Sequence, residues 1–225
     1  MGKGLTRKKQ LDITGFGRDQ DELPDIGSGA LDLCGWFGFE PWRGAGEDPR
    51  KFEIELGSGK GTFLAQEAPL HEDTLFLGIE WASQFYRYAA DRLRRLNIAN
   101  ARMLHADGVV FIRNFVADQT IDRLHWYFPD PWPKARHHKR RTFQEPFLRE
   151  LVRVLKPGGE VHVATDHLDY WQWMQEHAAK VADVYERRPF EPPASAGEGE
   201  LVGTNFERKY RREGRAFHGM VLVKT

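Results

Sequence analysis

Acids and glycines recur along the chain where short apolar runs end, and each group has chemistry open to it. The first is Glu55-Leu56-Gly57-Ser58-Gly59-Lys60-Gly61. Its glycines let the backbone turn sharply and approach a ligand closely, and the helix that follows presents free N–H groups. Three ligand classes compete for this loop. A Walker A cradle needs Gly-x4-Gly-Lys-[Ser/Thr]. Here Ile54 stands five residues before Gly59, inside a strand, and Lys60 is followed by Gly61, so the cradle has no loop to form it. A dinucleotide fingerprint needs Gly-x-Gly-x-x-Gly, whereas here the third glycine comes one residue early and Glu55 precedes the turn. An S-adenosylmethionine (SAM) loop needs no phosphate cradle, and the ammonium of the methionyl end suits an acid near the first turn.

Two more acids follow at strand ends. Glu80 can accept hydrogen bonds from both hydroxyls of a ribose. Asp107 can accept from an adenine amino group, with Gly108 leaving room for the ring. Either can instead be a solvated loop carboxylate or a helix cap. Farther on, Pro129-Asp130-Pro131-Trp132-Pro133 fixes its backbone with three prolines. A carboxylate held that rigidly can accept from the N1–H and N2–H of a guanine; the competing reading is a rigid turn over a buried tryptophan. Immediately after it, Lys134 to Arg141 carries five positive charges, two histidines and no acid. Such a run is either a solvated face or a phosphate-binding segment. Thr204-Asn205-Phe206-Glu207 has the spacing of a capping box, Thr204 to Glu207. Trp132 and Phe206 are candidates to stack on an exposed base or to pack.

The elements that must position these residues alternate. Apolar runs at 52–56, 75–79, 101–105, 121–128, 160–165 and 217–223 predict strands, and amphipathic stretches at 62–68, 83–96, 109–115, 143–155 and 168–180 predict helices. Alternation of this kind implies βαβ units and a largely parallel sheet with helices on both faces. Ligands in such sheets sit beyond the carboxyl ends of the strands. Residues 1–50, rich in Gly and Asp, read as an irregular N-terminal arm with a short element near 31–39, and 51–225 as the domain. Residues 189–204 read as one long loop. Met1 to Thr6 fits the loose myristoylation pattern, against which stands an ordinary frayed basic terminus.

Composition narrows the class. The 225 residues are 40% apolar and 29% charged, ordinary for a soluble domain. The formal net charge is zero, from 33 bases and 33 acids, but the sum hides basic segments at 134–141 and 207–215, and a polyanion responds to the local field. A lone cysteine, Cys34, cannot form an internal disulfide or a cysteine-rich zinc site, so a reducing cytoplasm is expected. The nine histidines lack ligand spacing, and no metal is expected. No run of 18 apolar residues spans a membrane and the N-terminus has no apolar signal region. Nothing calls for an obligatory protein partner.

Together these segments resemble the bacterial tRNA (guanine-N7)-methyltransferases, which form the 7-methylguanosine of the tRNA variable loop at position 46. The resemblance covers about 52–225. Its most specific parts are the run from Pro129 to Arg141 and Thr204-Asn205-Phe206-Glu207-Arg208-Lys209. It implies an α/β, Rossmann-like class I methyltransferase fold with a seven-stranded, mostly parallel sheet, SAM as donor and tRNA as substrate. By position it implies Glu55, Gly57, Gly59, Glu80, Asp107 and Asp130 at the SAM site, Asp130 also as the catalytic aspartate, and Lys134, Asp166 and Thr204, Asn205, Phe206 and Glu207 toward the tRNA. Ala135 departs from the pattern where a second basic residue is common, and the first fifty residues do not match the family's usual arm. The chemistry agrees. Guanine N7 is a lone-pair nucleophile with no proton to lose, so alignment matters most, and a carboxylate such as Asp130 or Asp166 can stabilise the cationic purine that forms. Two other readings are a NAD-dependent oxidoreductase, which the glycine spacing opposes, and a noncatalytic RNA-binding protein that keeps the fold, which the intact acids oppose.

Overall fold

The computed structural model describes residues 11–38 and 50–225. The myristoylation pattern at Met1–Thr6, and Phe39 of the short element, lie outside the described residues. The elements are β1 (Gly17–Asp19), β2 (Lys51–Leu56), α1 (Thr62–Glu67), β3 (Thr74–Glu80), α2 (Ser83–Arg95), β4 (Ala101–His105), α3 (Gly108–Phe115), β5 (Ile121–Tyr127), α4 (Glu145–Val154), β6 (Leu155–Thr165), α5 (Leu168–Ala179), β7 (Tyr185–Pro189), α6 (Asn205–Arg211) and β8 (His218–Lys224). They form one eight-stranded sheet, ordered β1-β4-β3-β2-β5-β6-β8-β7. Pairs from β1 to β6 are parallel, and β8 runs antiparallel to both β6 and β7.

Side-chain alternation explains the layers. Phe52, Ile54 and Leu56 of β2 point to one face, with Leu124 and Trp126 of β5 and Val161 and Val163 of β6. Phe111 and Phe115 of α3, Leu148 and Leu151 of α4, and Tyr170 and Met174 of α5 cover that face. On the other face Phe63 and Leu64 of α1 and Tyr86, Ala90 and Leu93 of α2 pack over Phe76 and Met103. Helix α4 ends at Val154, and the turn Lys156–Gly159 that follows lies within β6. It bulges between Leu155, which pairs with Ile121, and Glu160, which pairs with Arg123.

Eight strands stand where seven were expected. The added one is β1: Gly17 lies so close to α2 that a Cβ would sit 2.7 Å from the Tyr86 hydroxyl, and three residues pair with Met103–His105. The expectation of an irregular arm is therefore corrected in part. Residues 17–19 extend the sheet, and Leu33, Cys34 and Phe37 are buried in the core. Strand β7 carried no apolar alternation to read, because only Tyr185 of its five residues is buried and it sits at a sheet edge, where Pro189 is tolerated. Among the described residues no helix is long and apolar enough to cross a membrane.

Candidate functional site

Three adjacent strand ends build one half of the site. The loop after β2 is tied to β3 by the N–H groups of Gly57 and Ser58, which donate to the Ile79 carbonyl at 2.9 and 3.1 Å. Gly57 and Gly59 have φ of +75° and +52°, and a Cβ at either would meet nothing within 4 Å, so the loop borders open space. Below it, Glu55 is buried, and its Oε2 has no hydrogen-bond partner among the described residues. Burial pushes the Glu55 carboxyl up to about 8, Ser58 opposes the rise, and the charge of Glu80 adds to it. Glu80 splints two turns: Oε2 accepts from Gly59 N at 2.8 Å and Oε1 from Ala82 N at 2.7 Å. Each oxygen keeps a second lone pair for a ligand.

Asp107 caps α3, its Oδ1 accepting from Val109 N and Val110 N at 2.9 and 3.0 Å. The helix-cap reading of this acid thus holds, and its exposed carboxylate still has Oδ2 to offer. Gly108 does not leave room for a ring. A Cβ there would lie 2.6 Å from Leu56 Cδ2, so the glycine lets α3 pack on β2. Between these acids the structure places a residue that sequence reasoning missed, Trp81, 65% exposed. His105 Nε2 donates to its carbonyl at 2.9 Å. The signal was an aromatic directly after a strand-end acid.

The other half comes from β5, β6 and α6. Strand β5 is fixed from within: His125, buried, bonds Glu53 through Nε2 at 2.6 Å and Tyr127 Oη through Nδ1 at 2.7 Å. Burial lowers His125 below the usual histidine range and holds it neutral, though Glu53 opposes that. Nε2 therefore donates to the Glu53 carboxylate and Nδ1 accepts from Tyr127. Beyond Tyr127 the chain turns abruptly, with Phe128 and Trp132 at φ of +52° and +44°, a conformation that costs a bulky residue energy. Asp130, between them, is exposed.

What holds this turn is Arg141. It closes the basic run, yet its side chain is only 1% exposed. It donates Nε to the Pro131 carbonyl at 2.8 Å, bonds Asp169, and lies over the rings of Tyr170 and Trp173. The expectation that the whole run faces phosphate is corrected here: Lys134, Arg136, Lys139 and Arg140 are exposed, and Arg141 belongs to the interior. Trp132 packs within that run, beneath Arg140 at 4.9 Å and edge-on to His137. Arg141→Met is expected to cost about 2 kcal/mol, because it strips charge-assisted hydrogen bonds from the turn. A thermal melt should fall by roughly 4 to 8 °C; an unchanged melt would remove Arg141 from this role.

Helix α6 docks against the same turn. Phe206 stacks on Phe128, centroids 5.0 Å apart, and leaves 39% of itself exposed. Asn205 reaches Thr62 Oγ1 of α1 at 3.4 Å. Thr204 caps the helix through Glu207 N at 3.1 Å. Glu207 does not complete the capping box or face outward. It is fully buried, and its carboxylate accepts from Leu201 N, Val202 N, Gly203 N and Arg211. Those bonds use all four acceptor positions of a carboxylate, so the expectation of a ligand contact from Glu207 is corrected to a scaffolding place. At the end of β6, Asp166 is held by a residue sequence reasoning missed, Arg215. Glu55, Gly57, Gly59, Glu80 and Asp107 thus ring one end of the row of strand ends. Asp130, Asp166 and Phe206 stand at the other end, with Lys134 on the exposed run beyond them.

The chain is similar to proteins of known family and fold. A family described as "Putative methyltransferase" matches residues 49–220. A tRNA (guanine-N(7)-)-methyltransferase of Corynebacterium diphtheriae is 39% identical over 69% of this chain and 57% of its own. One from Treponema pallidum is 35% identical over 79% of this chain and 68% of its own. Against the corynebacterial relatives the chain spans little more than half of their length. Among solved structures, the 16S rRNA methyltransferase KamB superposes with a TM-score of 0.55 at 16% identity, over 79% of this chain and 88% of that one, which shows the fold. The methyltransferase family model matched over 49–220 and the 35% identity to a relative covered over 68% of its length lead to one assignment: this chain belongs to the tRNA (guanine-N(7)-)-methyltransferase family.

Proposed function

We propose that the chain transfers the methyl group of SAM to N7 of a guanine in tRNA, at position 46 of the variable loop by resemblance. The observation that carries this is the buried, unpartnered Glu55 carboxylate under an open glycine loop, in the same row of strand ends as Asp130. A buried acid with a vacant oxygen fits a cationic ligand, and the methionyl ammonium of SAM is such a cation. Glu55 therefore holds that ammonium, Gly57 and Gly59 leave room for the chain of the ligand, Glu80 takes the ribose hydroxyls and Asp107 the adenine amino group, with Trp81 beside them. SAM supplies an electrophilic methyl on a sulfonium.

The chain's own task is alignment and charge. Asp130, on a turn pinned by prolines and Arg141, faces the purine and stabilises the positive charge that develops on it. Asp166, Asn205 and Phe206 stand on the substrate side, and Thr204 and Glu207 hold the segment that presents them. Lys134, with Arg136, Lys139 and Arg140, supplies phosphate contacts. We take 51–225 as the methyltransferase unit, 1–50 as an arm whose described part packs on it, and the cytoplasm as the place of work, where tRNA is found.

Methyl transfer tests the reading. Labelled SAM and tRNA lacking 7-methylguanosine, digested to nucleosides after reaction, should give label in 7-methylguanosine. Label in another nucleoside overturns the guanine-N7 assignment, and SAM binding without label favours a noncatalytic RNA-binding protein. Asp130→Asn is expected to lower kcat on the order of 100-fold, the usual loss for one preorganised electrostatic group, with a smaller change in KM. If kcat holds and only the KM for tRNA rises, Asp130 does not stabilise charge.

A further inference from the structure

The Asp166 carboxylate is only 10% exposed, yet its partner comes from a turn outside the sheet. Arg215 Nη1 donates to Asp166 Oδ2 at 2.5 Å, and the guanidinium lies 3.7 Å from the centre of the Tyr210 ring. Arg215 is itself 43% exposed. Together with Leu201, Arg211 and Phe217 it lines an open cavity of about 360 Å³, whereas Asp166, its partner, is not part of that lining. Phe217 also meets Phe128 edge-on at 5.7 Å, so the cavity borders the turn that carries Asp130.

A guanidinium is a planar row of N–H donors with no acceptor. The Watson–Crick edge of guanine offers N1–H and N2–H in the same planar order, while adenine offers an acceptor at N1. A carboxylate shaped to hold the first therefore suits guanine and leaves adenine with a lone pair facing an oxygen. An ion pair exposed on one side is weak, so a competing donor can displace it. We propose that Arg215 is a specificity-determining residue that stands in for the base. Its guanidinium fills Asp166 when no substrate is bound, and only a base with guanine's donor edge replaces it. This rests on the methyl-transfer reading and deepens it, because it names the edge by which the target guanine is chosen before its N7 is methylated.

The test is titration of nucleosides by saturation-transfer NMR against the full chain and its variants. Arg215→Gln removes the competing charge. It should bind guanosine about fivefold tighter than the unaltered protein, the upper range for releasing an exposed pair, and should show no gain for adenosine. Inosine, which keeps N1–H and lacks the N2 amino group, should gain less than guanosine. Asp166→Asn should lose guanosine binding, and adding Arg215→Gln to it should restore nothing. Guanosine affinity unchanged or weakened by Arg215→Gln overturns the proposal, as does an equal gain for adenosine. Arg215→Lys, with its melt measured alongside, guards against a folding defect: a point charge that fits the carboxylate less well should give an intermediate gain. The two readings fail separately. Absence of label in 7-methylguanosine removes the methyl-transfer reading, and label with no gain from Arg215→Gln removes the stand-in alone.

Discussion

Glu55→Gln is expected to stabilise the ligand-free protein at alkaline pH and, in the same variant, to remove its affinity for SAM. The folded protein raises this carboxyl from an ordinary 4.5 to about 8, chiefly through burial. Folding therefore favours the neutral form. Its contribution to stability is complete below pH 4.5 and is lost as pH rises through about 8, where the charge must be carried inside without a partner. A tenfold change in proton affinity is worth roughly 1.4 kcal/mol, so the loss amounts to about 5 kcal/mol. Glutamine stays neutral, so the variant should keep its melting temperature from pH 6 to 9 while the unaltered protein declines. SAM should reverse the order. Its ammonium pairs with the ionised carboxylate, and a ligand that binds only the folded state raises its stability by mass action. The unaltered protein should thus gain a large melting shift with SAM at pH 8.5, and Glu55→Gln almost none. On the acid side both proteins should fall together. Glu160 is held down to about 2, first by its hydrogen bond from His162, so its contribution is present above 4.5 and disappears as pH drops toward 2. His125, held neutral, opposes protonation below its ordinary 6.5. Parallel alkaline limbs for the two proteins would show that Glu55 carries no vacant charge.

The half of the site built from β2, β3 and β4 was legible in the sequence because local rules suffice there. Glu55 and Glu80 sit within the carboxyl ends of β2 and β3 and Asp107 lies just after β4, where apolar runs mark strand ends, and glycine spacing weighs between ligand classes. The largely parallel sheet and its two helical faces followed from the alternation of strands and helices. What escaped was set by contacts across long stretches of chain. Arg141 reads like its basic neighbours, and only Tyr170, Trp173 and Asp169 of α5 turn it inward. Arg215 reaches Asp166 across forty-nine positions. Strand β1 exists because Gly17 fits against Tyr86, not because Gly-Arg-Asp favours strand. Gly108 reads as room for a ligand, whereas its missing Cβ answers to Leu56. In each case the residue type was visible and its partner was not.

Glu207 is where that difference matters most, and Glu207→Ala should be the most damaging single change in the candidate site. Its carboxylate gathers Leu201 N at 2.6 Å, Val202 N at 2.8 Å, Gly203 N at 2.9 Å and the Arg211 guanidinium at 2.5 Å. Burial alone would raise the acid, but those donors overcome it and hold Glu207 below the usual carboxylate range. The segment before it, 190–204, has no regular structure to hold it. Its other anchors are Glu67, which accepts from Ala194 N and Ser195 N, Gln66 Nε2, which donates to the Gly203 carbonyl, the Glu200–Arg208 pair and the buried Val202. Alanine strands the N–H groups of Leu201, Val202 and Gly203 without an acceptor and releases the half-exposed Arg211, which costs about 4 kcal/mol, chiefly from the unsatisfied donors. Hydrogen exchange at 201–203 should rise to the rate of an open loop, and the melt should fall by roughly 10 °C. Because Phe206 and Asn205 hang from this segment, methyl transfer should lose kcat as well as affinity. Glu207→Gln separates scaffold from contact. An amide returns two donors where acceptors are needed, so a scaffolding carboxylate predicts lost protection at 201–203 even in this conservative variant. A carboxylate that touched the substrate would keep that protection and its melting temperature and raise only KM.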